Sequence, residues 1–446
     1  MIDQLLDAAR SRGSADALWR REERTAVAFE SGRLKTAGVT EEAGINLRLV
    51  ANGRMGVAGT TAATPDLAAL VDRARASAEL GEALDLAFPP TSPLPRVPTF
   101  FDSAANASLD QLIALGRGLL ERLTREGCQV NVAIEREVGE TKVGNSAGAR
   151  GGYPATGVGV TAEIIRIASD DVLMIYDQYV GADLPTDGDL DALVRSIETR
   201  LEPALTVVSP PEGALPVVFT PAGLAAIVLP LEQALSGKTV LQGSSPLAAR
   251  IGEQAFDPRL SISDDPLAPG GPASRPLDDE CVPSARTALV EGGIVRGFVY
   301  DLETAARAKS RSTGHGRRGI FGKPVIRYTN LMLGEASDHV GAQHAAPLRA
   351  PSLGGGLIAG ITDGLIVDDL IGVGQGNVIG GGFSHPVGLA YRVQRGEITG
   401  RVKDAAVAGN VYDLLKRIAG FGRDGRWLGS RWSPSLRLDG VSVARR

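Results

Sequence analysis

Two periodicities alternate along the first half of the chain. Ile2, Leu5, Leu6, Ala8 and Ala9 form one apolar stripe, which predicts an amphipathic helix over residues 2–12. From Ala15 to Phe29 the spacing changes to the two-residue alternation of a half-buried strand, ending at Ser31-Gly32-Arg33. Glu42–Val50 and Arg54–Gly59 read as two strands joined at Ala51-Asn52-Gly53, because Asn-Gly supplies both left-handed residues of a type I′ hairpin turn. Residues 66–79 return to helical spacing, with Leu67, Leu70, Val71 and Ala74 on one face, Thr64 as the expected cap and Pro65 as the opening residue. Pro89, Pro90, Pro93, Pro95 and Pro98 then predict an extended surface connector. A helix over 108–125 follows, with Ser108 and Gln111 placed for a capping box. Strand signals come next at Val130–Glu137, Glu140–Val143, Gly157–Ile167 and Val172–Tyr179, and a last helix at Leu190–Ala204.

The segment Val207–Gly213, with Pro210 and Pro211, is the natural domain boundary. Beyond it, Pro216–Phe219 reads as a strand that runs into a helix capped by Thr220, opened by Pro221 and closed by Gly237. Leu224, Ile227, Val228 and Leu231 mark the core face of that helix. After a Gly/Pro/Asp-rich stretch over 263–283, short strands dominate to the C-terminus, with helices expected only near 301–308 and 411–417. The expected fold class is therefore α+β in two domains. Residues 1–206 form an N-terminal domain of mixed helix and antiparallel sheet. Residues 207–446 form a C-terminal β-rich domain around a central helix.

Composition narrows the function. Of the residues, 43% are hydrophobic and 22% charged, as in an ordinary globular protein, and 56 glycines favour turns and close backbone approaches. The formal net charge of −5 argues against nucleic acid or an anionic membrane as a partner. No apolar run approaches the ~20 residues that span a bilayer, and the N-terminus lacks a basic-then-apolar signal, so the expected location is cytoplasmic. Cys128 and Cys281 read as two reduced thiols.

Candidate chemistry is sparse. The four histidines are His315, His339, His344 and His385, and no pair has ligand-like helical spacing. His339 and His344 are either a weak metal pair or surface loop residues. His315 lies in Ser312-Thr-Gly-His-Gly-Arg-Arg-Gly319, where the flanking glycines either let His315, Arg317 and Arg318 face a substrate cleft or leave a solvated basic loop. Asp264-Asp265, Asp278-Asp279-Glu280 and Asp368-Asp369 are carboxylate clusters that fit Mg²⁺ or Ca²⁺ in principle, but their spacing matches no established loop and equally suits turn-formers. Gly372-Val-Gly-Gln-Gly-Asn377 is not followed by the helix and lysine of a phosphate cradle. No Gly-x-Ser-x-Gly elbow is present either.

An ordered set of motifs resembles the TldD/PmbA family of metalloprotease-related proteins. The set comprises Val143-Gly-Asn-Ser-Ala-Gly148 with Gly152-Tyr153, Asp264-Asp265-Pro266, Asp278-Asp-Glu-Cys-Val-Pro283 and Glu291-Gly-Gly-Ile-Val-Arg-Gly-Phe298. It continues with Ser312-Thr-Gly314, Tyr328-Thr-Asn330, Gly374-Gln-Gly-Asn377, Gly396-Glu-Ile398, Ala408-Gly-Asn410 and Ser433-Pro-Ser435. The resemblance implies two-domain α+β subunits of two types, TldD-like and TldE/PmbA-like, pairing around an enclosed cavity. It places a His-Glu-x-x-x-His zinc site on the central helix of the TldD-like type, with a cysteine near the C-terminus. In this chain those helix positions fall near Ile227, Val228 and Glu232, and Gly420–Gly429 holds no cysteine. Aliphatic side chains have no lone pair to give a metal.

The chain is accordingly expected to be a TldE/PmbA-like, non-catalytic subunit of a zinc metalloprotease complex, with no cofactor of its own and zinc in a TldD-like partner. It would close the chamber and help hold an extended peptide, with His315, Arg317, Arg318, Asn145 and Gln375 as candidate substrate-binding residues. When no partner is present the chain is free to form a homodimer under any of these readings. Two alternatives stand beside this one: a stand-alone hydrolase built on His315, Arg317 and the acidic loops, and a peptide-binding scaffold.

Overall fold

In the computed structural model, residues 1–169, 171–335 and 353–446 are described; His339 and His344 lie outside them. The first half runs α1 (Ile2–Ala9), β1 (Ser14–Glu30), β2 (Arg33–Ala51), β3 (Arg54–Thr60), α2 (Leu67–Glu79), α3 (Asp102–Ala105), α4 (Leu109–Leu123), β4 (Cys128–Asn145), β5 (Arg150–Ala168), β6 (Asp171–Gly181) and α5 (Asp187–Ala204). The second half runs β7 (Val207–Val208), β8 (Gly213–Phe219), α6 (Ala225–Ala234), α7 (Gly237–Leu241), β9 (Leu260–Asp264), β10 (Thr287–Glu291), β11 (Ile294–Val295), α8 (Leu302–Arg307), β12 (Gly316–Arg317), β13 (Val325–Ile326), β14 (Leu331–Glu335), β15 (Asp363–Leu370), β16 (Gly382–Gln394), β17 (Glu397–Val402), β18 (Ala405–Asn410), α9 (Val411–Leu414), β19 (Ile418–Phe421), β20 (Arg426–Leu428), β21 (Arg431–Ser433) and β22 (Leu436–Arg445). The α+β architecture is as expected.

The N-terminal strands form one antiparallel sheet in the order β3-β2-β1-β4-β5-β6. Asn52 and Gly53 turn β2 into β3 with φ of 51° and 69°, the left-handed pair a type I′ turn requires. Strand alternation divides the side chains of β1 and β2. Ala15, Ala17, Leu47 and Leu49 face helices α1 and α2, while Asp16, Leu18, Asn46 and Arg48 face the opposite way. Farther along the sheet, α4 and α5 cover Val27, Phe29, Ile134, Val160 and Ile175. The capping box of α4 is present, with Gln111 N donating to Ser108 Oγ (3.2 Å) and Ser108 N to Gln111 Oε1 (2.8 Å).

In the second half, β15, β8, β22, β18 and β16 pair in sequence, and β16 pairs back to β15, closing a five-stranded barrel. A second sheet has the order β11-β10-β9-β14-β21-β20. Helix α6 lies between them, and Leu224, Ile227, Val228 and Leu231 are all buried in the core that both sheets share.

Four local expectations change. The central helix starts at Ala225, because Thr220 and Pro221 form a separate turn in which Thr220 Oγ1 donates to Asp368 (2.7 Å) and accepts from Gly223 N. Gly237 does not end the helix but opens α7. Helix α2 is capped by Asp66, which accepts from Ala69 N, rather than by Thr64. The proline segment is not a plain surface linker: Phe88 is buried beneath the Arg48 guanidinium, 5.2 Å from its ring centroid, and Pro89 O accepts from Asn145 Nδ2 (2.9 Å).

Candidate functional site

Helix α6 is the natural place to look for the chemistry. Ile227 and Val228 point into the core, where burial selects aliphatic side chains and excludes solvent. Glu232 is on the next turn and is mostly covered. Burial raises its pKa, and Arg431 opposes that shift by donating through Nε (2.5 Å) and Nη2 (2.7 Å) to both carboxylate oxygens. Such a bidentate fork leaves few lone pairs for another cation. Pro230 removes one rung of the helix ladder, and side chains satisfy carbonyls of the last turn. Tyr328 Oη donates to Glu232 O (2.8 Å) and Ser245 Oγ to Ala234 O (2.6 Å).

Beside Tyr328, His315 is fully enclosed, with Nε2 2.9 Å from Asp264 Oδ2 and Nδ1 2.8 Å from Thr313 Oγ1. Asp264 also accepts from Thr329 N (2.8 Å) and from the Thr329 hydroxyl. The arrangement has the order of a hydrolase relay, but the imidazole is buried, and the Thr313 hydroxyl also lies 3.1 Å from Tyr300 O. It secures the loop before β12 to the end of β9 instead.

The same loop reaches the N-terminal sheet through a buried ionic junction. Arg48 donates to Asp16 through Nε (3.0 Å) and Nη2 (2.6 Å), and to Glu280 through Nη1 (2.6 Å). Arg318 donates to Asp16 (2.9 Å), and Arg20 to both oxygens of Asp279 (2.9 and 3.0 Å). Burial pushes the Glu280 carboxyl up to about 8; Arg48 opposes this, while Asp278 and Asp301 add to it. Asp278 rises to about 6, again by burial, with Arg275 acting against it. Burial also acts on Asp279, but Arg317, Arg20 and Arg275 outweigh it and leave its pKa below the usual value.

These contacts turn most of the His315–Arg318 loop inward in this chain. His315 and Arg318 are interior groups, and Arg317 is bound to Asp279 (3.2 Å) and Tyr153 (3.4 Å) with part of its surface in solvent. Asn145 is buried too: its Oδ1 accepts from Ala147 N and Ala149 N, which shapes the turn between β4 and β5. Gln375 alone of the five is well exposed, on the glycine loop after β15. The acidic clusters are likewise partners of arginine, histidine and backbone N–H groups. Asp368, for example, accepts from Arg200 (2.9 Å) and Thr220 (2.7 Å). Among the described residues no three His, Cys, Asp or Glu side chains converge as metal ligands.

Gln375 leads to a feature that the sequence did not indicate. The loop residues Val373, Gly374, Gln375 and Val378 border a pocket of about 110 Å³, together with Ala226, Leu229 and Pro230 of α6 and Gly382–His385 of β16. Phe383 and His385 lie stacked at the strand, ring centroids 6.3 Å apart, and burial lowers the pKa of His385.

Comparison with known proteins places this geometry in a family. Residues 212–445 match the PmbA/TldA metallopeptidase C-terminal domain, and residues 15–78 match domain 1 of the same family. The chain belongs to the PmbA/TldD family of metallopeptidase-like proteins. It is 29% identical over 238 residues to a Haemophilus influenzae metalloprotease TldD homolog, covering 52% of this chain and 46% of that protein. It is 30% identical over 241 residues to a metalloprotease of Methanothermobacter thermautotrophicus, covering 53% and 49%. The chain thus spans about half the length of the curated relatives it matches. TldE of Thermococcus kodakarensis shares the fold over 99% of both chains, with a TM-score of 0.87 at 22% identity. A Thermotoga maritima structure does so with a TM-score of 0.84 at 22% identity, again over 99% of both chains.

A zinc ion does not fit the α6 positions in this chain. Ile227 and Val228 offer no donor atom, Glu232 is forked by Arg431, and Gly420–Gly429 offers no thiolate.

Proposed function

We propose that this chain is a non-catalytic, TldE/PmbA-like subunit of a zinc metalloprotease complex. In this reading a TldD-like partner holds the zinc and the general base, while this chain closes the chamber and helps hold an extended peptide. The observation that carries the reading is the filling of α6: buried aliphatic residues and an arginine-locked carboxylate stand where a catalytic member needs imidazoles and a free base. Family membership and the shared fold support it. The complex is expected in the cytoplasm, without nucleic acid or membrane. No described helix is long and apolar enough to cross a bilayer.

The experiment is co-expression of this chain with a TldD-like protein from the same genome, followed by purification through a tag on this chain and mass measurement under native conditions. A mixed complex with a fixed ratio of the two chains is expected. A chain that stays alone or self-associates in the presence of that protein would contradict the proposal.

A further inference from the structure

One corner of the N-terminal sheet combines an apolar surface with a bare strand edge. β6 is the last strand of that sheet and, among the described residues, pairs with β5 alone. Ile165 pairs with Met174 and Ile167 with Val172, and Tyr176 follows on the same face by alternation. Ile167, Val172, Met174 and Tyr176 are 58, 55, 51 and 43% exposed, while Leu173 and Ile175 point the other way into the core. A contiguous apolar surface left in solvent marks an association site. The backbone is free at the same positions. β5 and β6 join through two residues, and the closing pair of such a hairpin, here Ala168 with Asp171, exchanges both of its bonds. Bonded and non-bonded pairs alternate from there, so Leu173 and Ile175 bond to β5. The N–H and C=O groups of Val172, Met174 and Tyr176 therefore point away from the sheet. The residues with outward backbone groups are thus the ones whose side chains are exposed.

The row is also self-complementary. Two antiparallel copies related by a two-fold axis perpendicular to the sheet keep their pleats in phase only when one residue pairs with itself. An axis at Met174 uses all three outward residues, because Val172 of each copy then meets Tyr176 of the other. It also aligns Ile165 and Met174 of both copies in one apolar row across four strands. Asp171 would stand opposite Asp177 of the second copy, but each carboxylate already has its own cations. Asp171 is bound by Arg401 and Lys403, and Asp177 by Arg200 and Arg426. We infer that β6 is a self-association edge, through which two copies of this chain join their N-terminal sheets across an axis at Met174. The inference concerns the lone chain and does not rest on the subunit reading.

The test is sedimentation of the full chain, without any partner, over a series of concentrations. Reversible association of the wild-type chain into a pair is expected. Met174→Lys and Met174→Glu each bring like charges together at the axis, and each should weaken association by about tenfold or more. The denaturation midpoint should stay unchanged in both, since the Met174 side chain is half in solvent. A tagged Lys variant mixed with an untagged Glu variant should recover the pair on the tag resin, because position 174 faces itself only across this axis. Met174→Cys should likewise give a disulfide between two chains on oxidation. A wild-type chain that stays single at every concentration would overturn the inference. So would single variants that associate as the wild type does, or a Lys–Glu mixture that stays apart.

Discussion

Glu280 is a carboxyl group that folding makes hard to ionise. Its Oε1 faces Arg48 and its Oε2 accepts from Leu302 N (2.7 Å), yet burial and the neighbouring Asp278 and Asp301 still leave its pKa near 8. Between the ordinary carboxyl range and about 8, the folded chain holds a proton that the unfolded chain has released. This contribution to stability is therefore full at the acid end of that window and is lost as pH rises through it. Asp278 acts in the same direction up to about 6. Chemical denaturation of the Glu280→Gln variant across pH 5–9 should show a flatter profile, the wild-type slope corresponding to on the order of 2–5 kcal/mol. Parallel profiles would contradict the assignment. Arg48→Met should be more severe, by about 3–5 kcal/mol, because it removes the cation facing Glu280 and leaves Asp16 with Arg318 alone. None of this junction was legible in the sequence. A run such as Asp278-Asp279-Glu280 between prolines looks like a solvated turn, and only the tertiary fold brings Arg20 and Arg48 over it from strands more than two hundred residues away.

At the level of elements, periodicity was the reliable guide where one face is buried. The apolar face of α6 follows from it, while the β2–β3 hairpin and the capping box of α4 follow from local motifs, Asn52-Gly53 and Ser108 with Gln111. Periodicity failed for Arg33–Glu41, the first part of β2, where most residues on both faces meet solvent and no alternation appears. It also misplaced the start of α6, because Thr-Pro serves a turn tied to Asp368 as readily as a helix cap. Two substitutions probe this element. Leu231→Ala should cost about 2–5 kcal/mol on denaturation, as expected for emptying a shared core, and a shift within error would refute the packing described. Gly223→Ala should also destabilise measurably, since a Cβ there would lie 2.2 Å from Val367 O, and backbone in the barrel wall cannot step aside. An unchanged midpoint would mean that the turn and β15 are less tightly apposed.

The whole molecule is held together by contacts between its two halves. Tyr391, Ile366 and Val218 of the C-terminal half share a core with α4, α5 and the N-terminal sheet, while the Arg48–Glu280 and Arg318–Asp16 pairs fasten the sheet's other face. The motifs that reveal the family are mostly parts of this framework. Asn145, Asp264 and His315 hold turns and loops in place, so their presence marks the fold and does not by itself mark a site. The functional signal lies instead in what occupies α6, and there Ile227, Val228 and the Glu232–Arg431 pair carry the subunit reading. The most direct measurement is zinc content together with cleavage of an unstructured peptide, made on the purified chain alone and again on the chain co-purified with a TldD-like protein. Stoichiometric zinc and chelator-sensitive cleavage are expected only in the second preparation. Stoichiometric zinc with cleavage by the lone chain would contradict the non-catalytic role.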